Sequence, residues 1–228
     1  MASLFPTTRR SVVLALRSDD TNERTRAFDT LVAIYWKPLY KFARMTWGRS
    51  PEDAEDLTQA FFARVFERET LAGFDASKAA FRTFLRVQFE RHASNENRAA
   101  LRIKRGGGAV ALDFAAAEAE LEGEVATPEE LFYQDWVRGV FTVAISRMRE
   151  QVSQSQFALF EAYDLAGDHK ISYRDLAQRF ALPETTVTNQ LSAARRKFRE
   201  AVLDTLREAT ASDDEFRTEA RALLGVER

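Results

Sequence analysis

Apolar residues recur along most of this chain at intervals of three and four, the spacing that turns one face of a helix inward. In the stretch 51–68, Ala54, Leu57, Phe61 and Val65 keep that register, and Phe62 and Phe66 widen the stripe. Val187, Leu191, Ala194 and Phe198 repeat it at intervals of four, three and four. Start signals fall where such segments begin. Ser50-Pro51-Glu52-Asp53 offers a capping hydroxyl, a proline at the first helical position and acids in the first turn. Thr127-Pro128-Glu129-Glu130 offers the same set, and Ser172-Tyr173-Arg174-Asp175 is a third capping-box-like start. The pattern predicts helices over 11–18, 22–34, 36–47, 51–69 and 79–104. It predicts more over 128–150, 154–165, 172–180 and 184–208, and a last amphipathic piece at 213–224.

Gly106-Gly107-Gly108 cannot sustain a helix, and the stretch 106–126 is rich in Ala, Glu and Gly with few large apolar residues. It reads as an acidic, flexible linker. The expected fold class is therefore all-α: one small helical domain over 1–105, a second over 127–210, and a C-terminal extension over 211–228. Nine Gly and five Pro among 228 residues agree with long helices rather than a turn-rich sheet.

The chain has no cysteine, which removes disulfides, Cys-ligated zinc, iron–sulfur clusters and a thiol nucleophile. Its two histidines, His92 and His169, stand far apart, each without neighbours at metal-ligand spacing. His92 is expected on the surface of a basic helix, in reach of phosphate, and His169 in a loop. No glycine-rich phosphate-binding loop is present. No cofactor, metal or catalytic centre is expected. The short apolar run after Arg9-Arg10 is too short to span a membrane and carries no signal-peptide pattern. The expectation is a soluble, cytoplasmic protein without membrane contact.

Net charge is −2, but the charges are sorted. Arg82 to Arg105 holds seven bases against two acids, Ala109 to Asp135 holds eight acids and no Lys or Arg, and Lys170 to Arg199 again holds seven bases against two acids. Two basic blocks flank an acidic one, and local positive fields are what a nucleic-acid partner needs. On 51–68 the acids and Gln59 collect on the side away from the apolar stripe. That side is either a solvated face of a core helix or a docking face for a basic partner. On 80–105, Phe81, Phe84, Leu85 and Phe89 supply an apolar side, while Arg82, Arg86, Arg91, Asn95, Asn97 and Arg98 supply donors suited to phosphates and base edges. A solvated basic face is the alternative reading, though few acids are present to pair with it. The preceding turn carries Phe74 and Lys78, able to hold an unstacked base.

The stretch 171–202 is the most specific. A short capped helix with Leu176 and Ala177 inward ends near Phe180, Ala181-Leu182-Pro183 makes a tight turn, and a second helix packs back through Val187 and Leu191. This is the pattern of a DNA-binding helix-turn-helix. The outward face of the second helix carries Glu184, Thr185, Thr188, Asn189 and Ser192, which can reach base edges. Arg195, Arg196 and Lys197 follow as phosphate anchors. An ordinary helical hairpin with a basic end is the alternative.

These stretches resemble a known family. DAEDLTQAFFARVF (53–66), FRTFLRVQFERHASNENR (81–98) and ISYRDLAQRFALPETTVTNQLSAARRKFRE (171–200) are similar, in order, to three helical motifs of extracytoplasmic-function sigma factors. The motifs are the core-binding helix, the minus-ten helix and the minus-thirty-five helix-turn-helix. The resemblance implies sigma domains of types two and four and the partners core RNA polymerase (its clamp coiled coil and flap), promoter DNA and an anti-sigma regulator. It implies that Asp53, Asp56, Gln59, Phe62 and Phe66 lie on or support the polymerase-facing surface, and that the 73–98 region captures a non-template base. Many members carry tryptophan where this chain has Phe84, and asparagine where Arg91 falls. A stand-alone helix-turn-helix regulator would account for 171–202 but leave 51–105 unexplained.

Overall fold

The computed structural model describes residues 12–16, 18–67, 69–71, 73–99, 113–121, 126–167 and 171–225. Among them there is no strand. The helices are α1 (Val12–Leu16), α2 (Thr21–Trp47), α3 (Pro51–Phe66), α4 (Phe81–Ala99) and α5 (Phe114–Ala119). They are followed by α6 (Pro128–Gln151), α7 (Gln154–Asp164), α8 (Tyr173–Phe180), α9 (Glu184–Ala209) and α10 (Asp213–Leu224). Contacts group the chain into two compact units, 1–140 with 206–228, and 141–205.

In the first unit α2 is the central helix. Pro38 to Ala43 are all buried, so this stretch is covered on every side, as only an interior helix is. The sequence predicts two helices here, 22–34 and 36–47, yet one continuous helix runs through Pro38. A helical proline lacks the N–H that would bond the carbonyl four residues back, here that of Ile34. Gly139 of α6 abuts that carbonyl, and a Cβ on Gly139 would lie 2.6 Å from the oxygen. Tertiary packing thus holds the proline-bearing helix together where local propensity would divide it. Gly48, with φ of 57°, ends α2 in the left-handed conformation open to glycine.

The acidic segment differs most from expectation. Its described part, 113–121, forms α5 and packs on α2 rather than running as a flexible linker. Phe114 meets Trp36 and Tyr40 at centroid distances of 5.4 and 5.0 Å, and Ala117 is buried. Glu118 accepts from Tyr40 Oη at 2.8 Å and from Arg44 Nε at 2.8 Å, while Glu120 accepts from Lys37 and Lys41 at 2.8 and 2.9 Å. The hydrogen bonds from Arg44 hold Glu118 below the ordinary glutamate range. Glu118 and Glu120, two of the acids that make 106–126 look solvated from composition, instead complement a basic stripe on α2. Residues 106–112 and 122–125 lie outside those described.

The second unit has its core at Leu159, Leu176, Ala177, Val187 and Leu191. The sequence-derived divisions after 126 and 210 do not coincide with the contact boundaries. Each of α6 and α9 contributes residues to both units, and 206–225 belongs with the first.

Candidate nucleic-acid interface

The second unit presents a tight helix-turn-helix. Ser172 caps α8 by accepting from Asp175 N–H at 3.1 Å. At the other end Ala181 adopts φ 51° and ψ 45°. Leu182 N–H donates to Ala177 at 2.9 Å and Ala181 N–H to Gln178 at 3.3 Å, the paired bonds of a Schellman ending. Pro183 then prevents continuation, and its carbonyl accepts from Thr186 and Val187 to start α9. Val187, Leu191 and Ala194 are buried, which turns the opposite face outward. Glu184, Thr185, Thr188, Asn189, Ser192 and Arg196 are all exposed on α9. The Thr188 hydroxyl donates back to the Glu184 carbonyl at 2.9 Å, leaving its oxygen free to accept.

Arg195 departs from expectation. Its Nε reaches both oxygens of Asp164 at 3.1 Å, Nη1 donates to Tyr173 Oη at 3.2 Å, and the guanidinium lies 5.1 Å from the centre of the Tyr163 ring. Hydrogen bonds with Asp164 raise its pKa above the ordinary arginine value. Arg195 fastens α9 to α7 and α8, so its guanidinium is already engaged within the unit, although 41% of its side chain stays exposed. Lys197 is half-exposed and pairs with Glu200 at 2.7 Å. Arg199, which follows Lys197 by two residues at the basic end of α9, is exposed, as is Arg174 on α8. Arg174 belongs to the basic block 170–199, a signal of charge that the inward positions Leu176 and Ala177 do not carry.

In the first unit, Ser50 caps α3 by accepting from Asp53 N–H at 3.1 Å. Asp53 and Asp56 are exposed and Gln59 half-exposed, its amide donating to Glu55 at 3.1 Å. Phe66, 38% exposed, is one of the large apolar side chains left open to solvent. It rests on Phe28 at a centroid distance of 4.9 Å, with the Arg24 guanidinium 5.6 Å from its ring. Phe62 is buried against Phe28 and Phe61, so it supports this face from beneath and does not lie on it.

On α4 the candidate contact residues separate into two groups. Arg91 and Asn95 are exposed. The helix includes Asn97 and Arg98, whose side chains lie outside the described set, as do Arg102, Lys104 and Arg105. Arg82 and Arg86, by contrast, are engaged internally. Arg82 pairs with Glu219 and lies over the rings of Tyr133 and Trp136 at 5.0 and 5.2 Å. Arg86 pairs with Glu90 and lies over Phe42 at 5.3 Å. Phe74 is half-buried, packed on Phe81 and Phe84 at 5.4 and 4.8 Å, and so is backed by the core rather than free. Lys78 is exposed and pairs with Asp75 at 3.1 Å.

His92 also departs from expectation. It is buried at 5% exposure against Phe61, not on the surface, and its Nε2 has no hydrogen-bond partner among the described residues. Burial lowers its pKa from the ordinary value. The unfolded chain therefore binds a proton that the folded one resists, and stability falls as pH drops through about 6.5. Thermal unfolding between pH 7.5 and 5.5 is expected to show this loss, at most about 1.4 kcal/mol per pH unit, and a His92→Gln variant to flatten it. An unchanged slope in the variant would assign the pH dependence to other groups. His169 lies outside the described residues.

Among the described residues no cluster of three or more His, Asp or Glu could hold a metal ion. No helix among them is long and apolar enough to cross a membrane. No family model matches the chain, and no curated protein is significantly similar to it.

Proposed function

We propose that this chain is a promoter-specificity factor of the extracytoplasmic-function sigma type, a cytoplasmic, non-catalytic subunit that binds core RNA polymerase and directs initiation. The observation that carries the reading is the outward face of α9. Short polar side chains (Glu184, Thr185, Thr188, Asn189 and Ser192) occupy its first turns and Arg196 follows, all exposed beyond a tight turn. Short polar groups suit base edges, and the guanidinium suits phosphate. Support also comes from α3, whose exposed Asp53 and Asp56 in its first turns and exposed Phe66 at its end have the chemistry to meet a basic, partly apolar partner. Arg91 and Asn95 on α4 offer a second set of donors.

The helix-turn-helix alone equally suits a regulator that binds operator DNA without polymerase. Footprinting separates the two. A sigma factor should protect promoter DNA only when core polymerase is added, whereas protection by the chain alone would favour the regulator. Within α9, Asn189→Ala is expected to alter preference at particular base pairs, by about 1–3 kcal/mol for a lost bidentate contact. Arg196→Ala is expected to weaken binding evenly across sequences and to lower its salt dependence. Competition assays on single-base promoter variants check both, and an unchanged preference would remove Asn189 from the reading face.

A further inference from the structure

The first turn of α4 is held by a helix more than a hundred residues away in sequence. Lys78-Ala79-Ala80 precedes α4, so no capping side chain stands at its start, and its first turn contains no acid. Glu215 of α10 makes good the deficit: one carboxylate oxygen accepts from Phe81 N–H at 2.8 Å, the other from Ala211 N–H at 2.9 Å. One turn on, Glu219 is buried, pairs with Arg82 and accepts from Tyr133 Oη at 3.4 Å. Two carboxylates of α10 thus occupy the positive end of α4 and the arginine beside it.

The helix that delivers them is held by few apolar side chains. Of its 12 residues only Phe216, Glu219 and Ala220 are buried. Asp213, Asp214, Arg217, Thr218 and Arg221 are exposed. Its apolar contact is small beside that of the core, and the rest of its hold is ionic. That hold comes from Glu215, Glu219 and Arg207, which pairs with Asp213 and lies 4.0 Å from the Phe216 ring. What release must replace is therefore largely charge contact that phosphate and water can supply. What the carboxylates bind, backbone amide and guanidinium, is also what a nucleic-acid phosphate binds. One site cannot hold both.

We propose that α10 is a releasable internal clasp, in which Glu215 and Glu219 cover the first turn of α4 in the free protein and must leave before promoter DNA engages Arg82. The proposal rests on the sigma-factor reading and adds a regulatory step to it. The free factor is held back from DNA on this helix, and assembly with polymerase and promoter expels α10.

Hydrogen exchange on the full-length wild-type chain tests this without any substitution. Exchange over 213–224 is compared for the free protein, the polymerase-bound protein and the polymerase–promoter complex. The clasp predicts protection in the free protein and its loss in the promoter complex. Protection that persists in an actively initiating complex overturns it. In parallel, Glu215→Gln/Glu219→Gln should raise run-off transcription by about fivefold or more, the lower range of ordinary coupling between sites. Unchanged output from a variant with wild-type circular dichroism likewise overturns the clasp. A wild-type protein that neither binds polymerase nor supports initiation refutes the sigma-factor reading itself, an outcome distinct from either of these.

Discussion

Asp56→Arg is expected to abolish co-purification with core RNA polymerase while leaving the fold intact. Asp56 is exposed on α3, between exposed Asp53 and half-exposed Gln59 and on the side away from the buried stripe Ala54, Leu57, Phe61 and Val65. A substitution at such a surface position normally changes stability by no more than about 0.5 kcal/mol. At a docking face for a basic partner the same change replaces attraction with like-charge contact, which costs several kcal/mol. A loss of about 3 kcal/mol or more exceeds a hundredfold in affinity. Pull-down with core enzyme checks the first part, and thermal unfolding by circular dichroism the second. Retained binding would leave α3 with only a structural role.

The largest effect on stability is expected at Lys41. Its Nζ lies 3.1 Å from one carboxylate oxygen of Asp135 and 3.3 Å from the other, and both side chains are fully buried. Glu120, which ends α5, and Arg138 of α6 complete the arrangement at 2.9 and 2.8 Å. Removing one member of such a pair leaves the other charge in a poorly solvating interior, which costs about 3–5 kcal/mol. Lys41→Met should therefore destabilise the first unit by that amount. Lys41→Met combined with Asp135→Leu should recover much of the loss, since no buried lone charge then remains and Arg138 is exposed to water. Urea unfolding of the three variants measures the difference. A double variant no more stable than Lys41→Met would mean that the pair is not isolated from water.

These two sites differ in how far the chain alone discloses them. The starts of α3, α6 and α8 are readable because Ser50, Thr127 and Ser172 act locally: each accepts from an amide three residues on, a contact set by adjacent sequence. The α8–α9 turn is readable for the same reason, through Pro183 and the register of Val187 and Leu191. What stays hidden depends on partners remote in sequence. Pro38 looks like a break because nothing nearby reveals Gly139 against the Ile34 carbonyl. The acids of 113–121 look like a solvated linker because their partners Lys37, Lys41 and Arg44 lie about seventy to eighty residues back.

The candidate site shows the same division. Exposure of Asp56, Asn189 and Arg196 follows from helical periodicity, since each lies opposite a buried stripe. The engagement of Arg82 by Glu219 and of Arg195 by Asp164 does not, because charge counting along a helix records a base but not what neutralises it. His92 stands one residue before buried Ala93 and three after buried Phe89, a register that turns it inward although its titratable ring suits the surface.

The most direct test of the central claim is transcription in vitro from a library of randomised promoters, with core polymerase and the purified chain. The account predicts initiation that depends on the chain and selects two conserved DNA elements, the upstream one shifting in sequence when Asn189 is replaced. Start sites and transcript yields identical with and without the chain would contradict it.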